Sequence, residues 1–225
     1  MDDPVRLTVL ISGNGSNLQA VIDKIQSGEL ANAKIVRVLS NRKDAFGLER
    51  AKRANIPTTY HNLVKYKKRH APTPEGVQAA REEYDAELAR LVLEDAPELV
   101  VCLGFMHVLS TKFLQPLEDA KVKIINLHPA LPGAFNGTHA IERAHAAWKA
   151  GAIDKTGVMI HHVISEVDMG QPVLVREIPF VKGEDDDLMS FEQKVHQVEW
   201  GAVVEGVGIV IREILQTRAK GSGAA

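Results

Sequence analysis

The chain has 225 residues, a hydrophobic fraction of 45%, a charged fraction of 25% and a formal net charge of -2 at pH 7. At about 100–200 residues per domain this length fits a single domain, and the composition is that of soluble globular proteins rather than of disordered chains. A net charge so close to zero supplies no basic field for phosphodiester backbones, which excludes generic nucleic-acid binding.

Apolar runs alternate with stretches of helical period in the first part of the chain, which predicts strand–helix units. The predicted order is βαβαβ, typical of a parallel sheet with connecting helices. The expected elements are a strand at Arg6–Ile11, a helix entered at Leu18, a strand at Lys34–Leu39, a helix near Phe46–Ala54 and a short strand at Ile56–Tyr60.

Residues 61–78 interrupt this rhythm with a basic, proline-bearing insert, for which we expect a solvated surface loop. The continuous apolar run Leu99–Leu103 predicts a buried strand. Between insert and strand, residues 79–94 have the period of an amphipathic helix, whose apolar side contains Tyr84, Leu88, Leu91 and Val92.

The second half of the chain predicts three more strands. The run Val122–His128 leads through a long loop rich in proline and glycine, residues 129–138, to a helix at His139–Lys149. The runs Gly157–Val163 and Pro172–Ile178 are expected to form an adjoining antiparallel pair, which makes the sheet mixed.

The last helix is expected to begin after the acidic run Glu184–Asp187, because negative charge is favourable at a helix N-terminus. A tail at residues 219–225 is expected to be disordered. The fold class is therefore α/β: one domain, residues 1–225, with a mixed, mostly parallel sheet and helices on both faces. The apolar stripe of the last helix contains Phe191, Val195, Val198 and Ala202.

A glycine loop, Ser12–Asn17, lies between the first strand and the first helix. Glycines allow close backbone approach, and free N–H groups at a helix start favour an anion such as phosphate. The dinucleotide pattern G-x-G-x-x-G is only half met because Leu18 replaces the third glycine, and no acidic residue ends the second strand. These departures argue against NAD and leave two alternatives, a phosphate site or a tight turn alone.

Asn126 and His128 lie two residues apart on a predicted strand, so both project from one face at the carboxyl end, where open α/β sheets bind ligands. Asp168, in a loop between two apolar strands, could reach the same crevice. A carboxylate beside an imidazole raises its pKa, so we expect His128 to be charged near neutral pH. The alternative is that Asn126 and His128 only tether loops.

His161 and His162 suggest a metal site, but successive strand residues point to opposite faces. No H-E-x-x-H motif or paired cysteine accompanies them. We therefore expect no metal.

Together these sites resemble phosphoribosylglycinamide formyltransferases, the folate-dependent family of purine synthesis. The resemblance extends from about Leu7 to Ile214. It implies a Rossmann-like formyltransferase fold and transfer of a formyl group from 10-formyltetrahydrofolate, the co-substrate, to the amine of N1-(5-phospho-D-ribosyl)glycinamide. The motifs that carry it are residues 9–20, 104–110, 125–132 and 166–172.

The same resemblance implies roles for individual residues. Residues 5–125 would form the half that binds the ribonucleotide phosphate, and residues 126–218 the catalytic and folate-binding half. The catalytic trio would be Asn126, His128 and Asp168. The ribonucleotide would be bound by Gly15, Ser16, Asn17, Leu18, Gln19 and Glu199. The folate would be bound by Arg81, Met106, His107, Val108, Leu109, Asn126, Ile164, Ser165, Glu166, Val167 and Asp168.

Three features depart from the family pattern. His107 stands where many members have arginine, and the run after Pro129 is Ala130–Gly133 instead of Ser-Leu-Leu-Pro. The insert before Arg81 is also longer than in compact bacterial members.

The expected partners are small-molecule substrates, with no nucleic acid and no membrane, in a monomer or homodimer. The single cysteine, Cys102, lies in an apolar run and forms no internal disulfide, and no stretch approaches the roughly 18 apolar residues of a membrane span. We therefore expect a cytoplasmic protein. The alternatives are a formyltransferase acting on methionyl-tRNA, a formyltetrahydrofolate hydrolase, and a non-catalytic module that binds a phosphate ligand.

Overall fold

The computed structural model describes residues 3–222, which fold around one seven-stranded sheet. The strands are β1 (Val5–Ile11), β2 (Ala33–Ser40), β3 (Thr58–Tyr60), β4 (Leu99–Leu103), β5 (Lys123–His128), β6 (Lys155–His162) and β7 (Pro172–Pro179). The helices are α1 (Ser16–Gln26), α2 (Phe46–Arg53), α3 (Val64–Lys67), α4 (Pro74–Leu93), α5 (Thr111–Asp119), α6 (Ala140–Lys149) and α7 (Leu188–Ser222).

The strand order is β3-β2-β1-β4-β5-β6-β7. The pairings from β3 to β5 are parallel, whereas β5–β6 and β6–β7 are antiparallel. The predicted mixed, mostly parallel sheet is therefore confirmed. The order reverses between β1 and β4, which opens a crevice at the carboxyl ends of these two strands, as in other open α/β sheets.

The central strands are buried on both faces, and alternating side chains feed two separate cores. Leu7 and Val9 of β1 pack in the core under α1, α2 and α7, whereas Leu10 packs in the core under α4 and α5. Parallel strands covered on both sides require such continuous apolar runs. The layered arrangement explains why short apolar segments sufficed to predict the strands.

The insert differs from the predicted solvated loop. It contains α3, and α4 already begins at Pro74, with the Thr73 hydroxyl accepting a hydrogen bond from Gly76 N. Tyr66 is only 8% exposed, and its ring lies edge-on to those of His61 and Tyr84 at centroid distances of 5.4 and 5.7 Å. The expectation of a solvated loop was wrong because one residue of this basic segment, Tyr66, has a buried aromatic side chain.

Two further elements depart from the sequence expectations. No helix was expected at α5, which contains Pro116, a residue that normally interrupts helices. Residues 219–222, expected in a disordered tail, continue α7 as helix, while residues 223–225 lie outside the described part. Near this end Arg218 Nε donates to Glu98 Oε1 at 2.8 Å, which ties the helix to the sheet.

Although α7 has 35 residues, no helix within residues 3–222 is long and apolar enough to cross a membrane.

We predict that Tyr66→Ala destabilises the protein by about 2–4 kcal/mol, because it removes a buried aromatic ring and leaves a cavity in the second core. Urea unfolding followed by circular dichroism measures this change. The matched control is Val64→Ala in the same short helix, where the side chain is exposed and a change within about 0.5 kcal/mol is expected. Equal, small effects of both variants would contradict the packed role of the insert.

Candidate active site

The candidate site lies at the carboxyl ends of β1, β4 and β5. The glycine loop follows β1, the 104–110 segment follows β4, and Asn126 and His128 lie at the end of β5. Parallel strands bring their carboxyl ends to one edge, so three segments far apart in sequence meet in one crevice.

The glycine loop is shaped by a close contact between two backbones. Gly15 has a φ of 76°, which favours glycine, and α1 begins immediately after it. A Cβ at Gly15 would lie 2.6 Å from Gly47 Cα of α2. Gly47 N also donates to Gly13 O at 3.1 Å. The loop is therefore docked on α2, with the first N–H groups of α1 beside it.

Glu199 joins the glycine loop to α7. This side chain is 5% exposed, and its Oε2 accepts hydrogen bonds from Asn17 Nδ2 at 3.2 Å and from His196 Nδ1 at 2.9 Å. The hydrogen bond from His196 raises the pKa of that imidazole. Asn17 Oδ1 is buried without a hydrogen-bond partner among the described residues. Two of the predicted ribonucleotide residues, 182 positions apart, are thus brought together.

The 104–110 segment is held by two side chains that sequence reasoning missed. Ser12 Oγ accepts a hydrogen bond from Met106 N at 2.7 Å. Asp85, fully buried on α4, accepts from Ser110 N at 2.8 Å, and its other oxygen lies 2.6 Å from His107 Nε2. An acidic residue on the apolar side of a predicted helix was the available signal for Asp85.

Arg81 reaches the same segment, with Nη2 3.4 Å from Val108 O. Apolar side chains remain exposed here and in the 164–169 loop. An accessible group of this kind is characteristic of a ligand-binding surface. Its members are Met106, Val108, Ile164, Val167 and Met169.

Asn126, His128 and Asp168 converge as the sequence predicted. Asp168 Oδ1 lies 3.5 Å from Asn126 Nδ2, and Oδ2 lies 3.4 Å from His128 Nδ1. The side chains of His128 and Asp168 are 4% and 9% exposed. Asp168 has a φ of 58°, in the left-handed region, and its Oδ2 accepts a hydrogen bond from Gly137 N at 2.7 Å.

The ionisation of His128 is opposite to the sequence expectation. Burial lowers its pKa, and the charge of Asp168, which acts to raise it, does not compensate. For Asp168, burial acts to raise the pKa, but the contact with His161, the hydrogen bond from Gly137 N and the nearby His128 outweigh it and leave the pKa below its usual range. Near neutral pH the pair is a neutral imidazole beside a carboxylate. His128 Nε2 is buried without a hydrogen-bond partner in the described chain.

His161 also belongs to this cluster. It is 2% exposed and pairs with Asn126 across β5 and β6. Its Nδ1 donates to His162 O at 2.9 Å, which leaves Nε2, 3.1 Å from Asn126 Nδ2, as an acceptor. Sequence reasoning weighed His161 only as a metal ligand. Within residues 3–222, no group of three or more His, Cys, Asp or Glu side chains is arranged to hold a metal ion.

Comparison with known proteins gives consistent matches over this whole region. The model of the Formyl transferase family matches residues 5–207. Phosphoribosylglycinamide formyltransferase of Schizosaccharomyces pombe is 50% identical over 208 residues, 92% of this chain and 97% of that protein. The Saccharomyces cerevisiae protein of the same name is 43% identical, and the alignment covers 93% of this chain and 98% of that protein. The crystal structure of glycinamide ribonucleotide transformylase 1 from Symbiobacterium toebii superposes with a TM-score of 0.78 at 28% identity, covering 93% of this chain and 89% of that one.

We predict that Gly47→Ala destabilises the protein by about 1–3 kcal/mol, despite the better helix propensity of alanine. The new Cβ would lie 2.5 Å from Ile11 Cδ1 and 3.2 Å from Gly15 Cα, so the glycine loop must move. Gly13→Ala is the matched control, because its Cβ would meet no atom within 4 Å. Urea unfolding compares the two, and a Gly13→Ala variant as unstable as Gly47→Ala would contradict this account of the loop.

Proposed function

Because the chain belongs to the formyl transferase family and, within it, to the phosphoribosylglycinamide formyltransferases, we propose that the crevice holds both substrates of this reaction, with 10-formyltetrahydrofolate as the donor. The chain is a transferase of purine biosynthesis. Family membership implies a folate-derived co-substrate. The acceptor is the amine of N1-(5-phospho-D-ribosyl)glycinamide. The observation that carries the proposed site is the cluster of Asn126, His128 and Asp168 at the end of β5, where His128 Nε2 has no hydrogen-bond partner among residues 3–222.

In this proposal the glycine loop and the first turn of α1 bind the ribonucleotide phosphate. Free N–H groups at a helix start attract anions, and no side chain caps the start of α1 at Gly15 among the described residues. Glu199 of α7 contacts the glycinamide end, since its carboxylate is fixed beside Asn17 of the glycine loop. The binding residues proposed are Gly15, Ser16, Asn17, Leu18, Gln19 and Glu199.

The folate is proposed to lie against the 106–109 and 164–168 segments. The backbone of the first segment is fixed by Ser12 and Asp85, so its remaining polar groups are preorganised to read a flat heterocycle. Exposed Met106 and Val108 supply apolar contact. Arg81 supports the peptide of Val108.

The chemistry follows from the three clustered side chains. The amine nitrogen attacks the formyl carbon, and the carbonyl electron pair moves to oxygen, which gives a tetrahedral oxyanion. Asn126 donates a hydrogen bond to that oxygen, and such a preorganised donor contributes about 10²–10³ in rate. The pair of Asp168 and neutral His128 accepts the proton that the amine loses, directly or through water.

After this transfer the pair carries an imidazolium, whose Nε2 faces the oxyanion. Asp168 stabilises the new charge from the Nδ1 side. The oxyanion then collapses, the bond from the formyl carbon to N10 of the folate breaks, and N10 takes up the same proton. The formyl group ends on the amine, and no net proton is gained or lost. His161, by accepting from Asn126, holds the amide in its orientation.

Purified protein should release deformylated folate only when both the ribonucleotide and the 10-formylated folate are present. Asp168→Asn should lower kcat by about 10²–10⁴, because it removes the base and the support of the imidazolium, while the ribonucleotide Kd stays nearly unchanged. Absorbance of the folate measures turnover, and calorimetry measures Kd. Asp119→Asn, on the surface of α5, serves as the control and should retain full activity.

The same assay separates the alternatives. Folate turnover without the ribonucleotide would identify a hydrolase, and phosphate-ligand binding without turnover a binding module. Full activity of Asp168→Asn would contradict the proposed role of the trio.

The protonation states predict a definite pH dependence. The mechanism needs neutral His128, whose pKa lies below its usual value near 6.5, so kcat/KM should be flat above about pH 6.5 and fall on acidification. In Asp168→Asn this acid limb should shift to still lower pH, because the charge that raises the His128 pKa is gone. A pH–rate profile, with circular dichroism at each pH, tests both. Activity that falls as pH rises from 6 to 8 would instead require a charged His128.

A further inference from the structure

Arg50 of α2 braces the glycine loop from outside the crevice. Its Nε donates to Asn14 O at 2.9 Å, and Nη2 donates to Asn14 Oδ1 at 2.8 Å. Its Nη1 lies 3.3 Å from Gln19 Oε1, in the first turn of α1. The planar guanidinium of Arg50 therefore links the tip of the glycine loop to the first turn of α1.

The charge of Arg50 is not neutralised by a carboxylate. All three acceptors are neutral oxygens, and within residues 3–222 Arg50 forms no ion pair. Lys52, two residues on, is by contrast paired with Glu49 at 2.6 Å. The ring of Phe46 supports the guanidinium, whose carbon lies 4.9 Å from the ring centroid.

Arg50 lies beside the first turn of α1, where the anion site is proposed. Arg50 lines one groove with Ser16 and Gln19, two residues of the first turn of α1. The N-terminus of α1 already carries a partial positive charge, and a full charge close by adds to the same field. The net charge of the whole chain is -2, so a positive field at this site must come from groups close to it.

We propose that Arg50 is a positioning residue for the ribonucleotide phosphate. It holds the glycine loop in its anion-binding form through Asn14 and Gln19, and its uncompensated charge favours a dianion at the start of α1. A loop ordered before binding avoids the entropy cost of ordering it on the ligand. This proposal rests on the proposed function, in which the glycine loop binds the phosphate.

Two substitutions separate bracing from charge. Arg50→Gln removes both and should raise the KM for the ribonucleotide about tenfold, the size of one lost charge-assisted hydrogen bond. Arg50→Lys keeps the charge without the planar fork, so its increase should be smaller. The salt dependence of this KM should weaken in Arg50→Gln and persist in Arg50→Lys. kcat and the folate KM should stay within about twofold in both.

Arg53→Gln is the matched control. Arg53 lies on the same helix and also over Phe46, at 5.6 Å, but no hydrogen bond connects it to the glycine loop in the described chain. Its removal changes the net charge equally and should leave the ribonucleotide KM and its salt dependence unchanged. Thermal unfolding of each variant verifies the fold.

Competition by ribose 5-phosphate distinguishes the possible failures. If it does not compete with the ribonucleotide in the unaltered protein, the phosphate role of the loop is wrong and the proposal fails with it. If it competes, but Arg50→Gln leaves its Ki and the ribonucleotide KM unchanged, only the role of Arg50 is overturned. A fall in kcat together with equal increases in both KM values would also overturn it. An Arg53→Gln variant with the same defect as Arg50→Gln would do so as well. An Arg50→Lys variant as impaired as Arg50→Gln would overturn the electrostatic part.

Discussion

Three buried carboxylates organise the crevice, because an acid removed from water is tolerated only when donors surround it. The side chains of Glu199, Asp85 and Asp168 are 0–9% exposed. Each takes its donors from a different segment: the glycine loop, the 104–110 segment and the loop after β5. The shape of the crevice therefore depends on where these three acids are buried, because each one fixes the segment that donates hydrogen bonds to it.

Much of this arrangement could be predicted from the sequence, because it depends on local rules. Apolar runs marked the strands, and Asn126 and His128 could be placed at the carboxyl end of a strand, where open α/β sheets bind ligands. The supporting residues could not be found in this way. His161 matters because the β5–β6 register sets it opposite Asn126, and Ser12 because β4 ends beside β1. Such pairings exist only after the sheet has formed.

The ionisation of His128 shows a second limit of sequence reasoning. The presence of a nearby carboxylate was predicted correctly, but the sign of the pKa change depends on how completely the ring is removed from water. Burial of this kind is a property of the packed loops. The same reason applies to Tyr66, whose burial among basic neighbours depends on α4 passing over it.

The two outer strands limit how copies of this protein can associate. β3 has only three residues, and β7 is bounded by Pro172 and Pro179, which cannot donate backbone hydrogen bonds. The shortness of β3 and the terminal prolines of β7 reduce the number of backbone groups available to a strand from another molecule. Intermolecular sheet extension, a common route to aggregation, is thus restricted at both margins of the sheet.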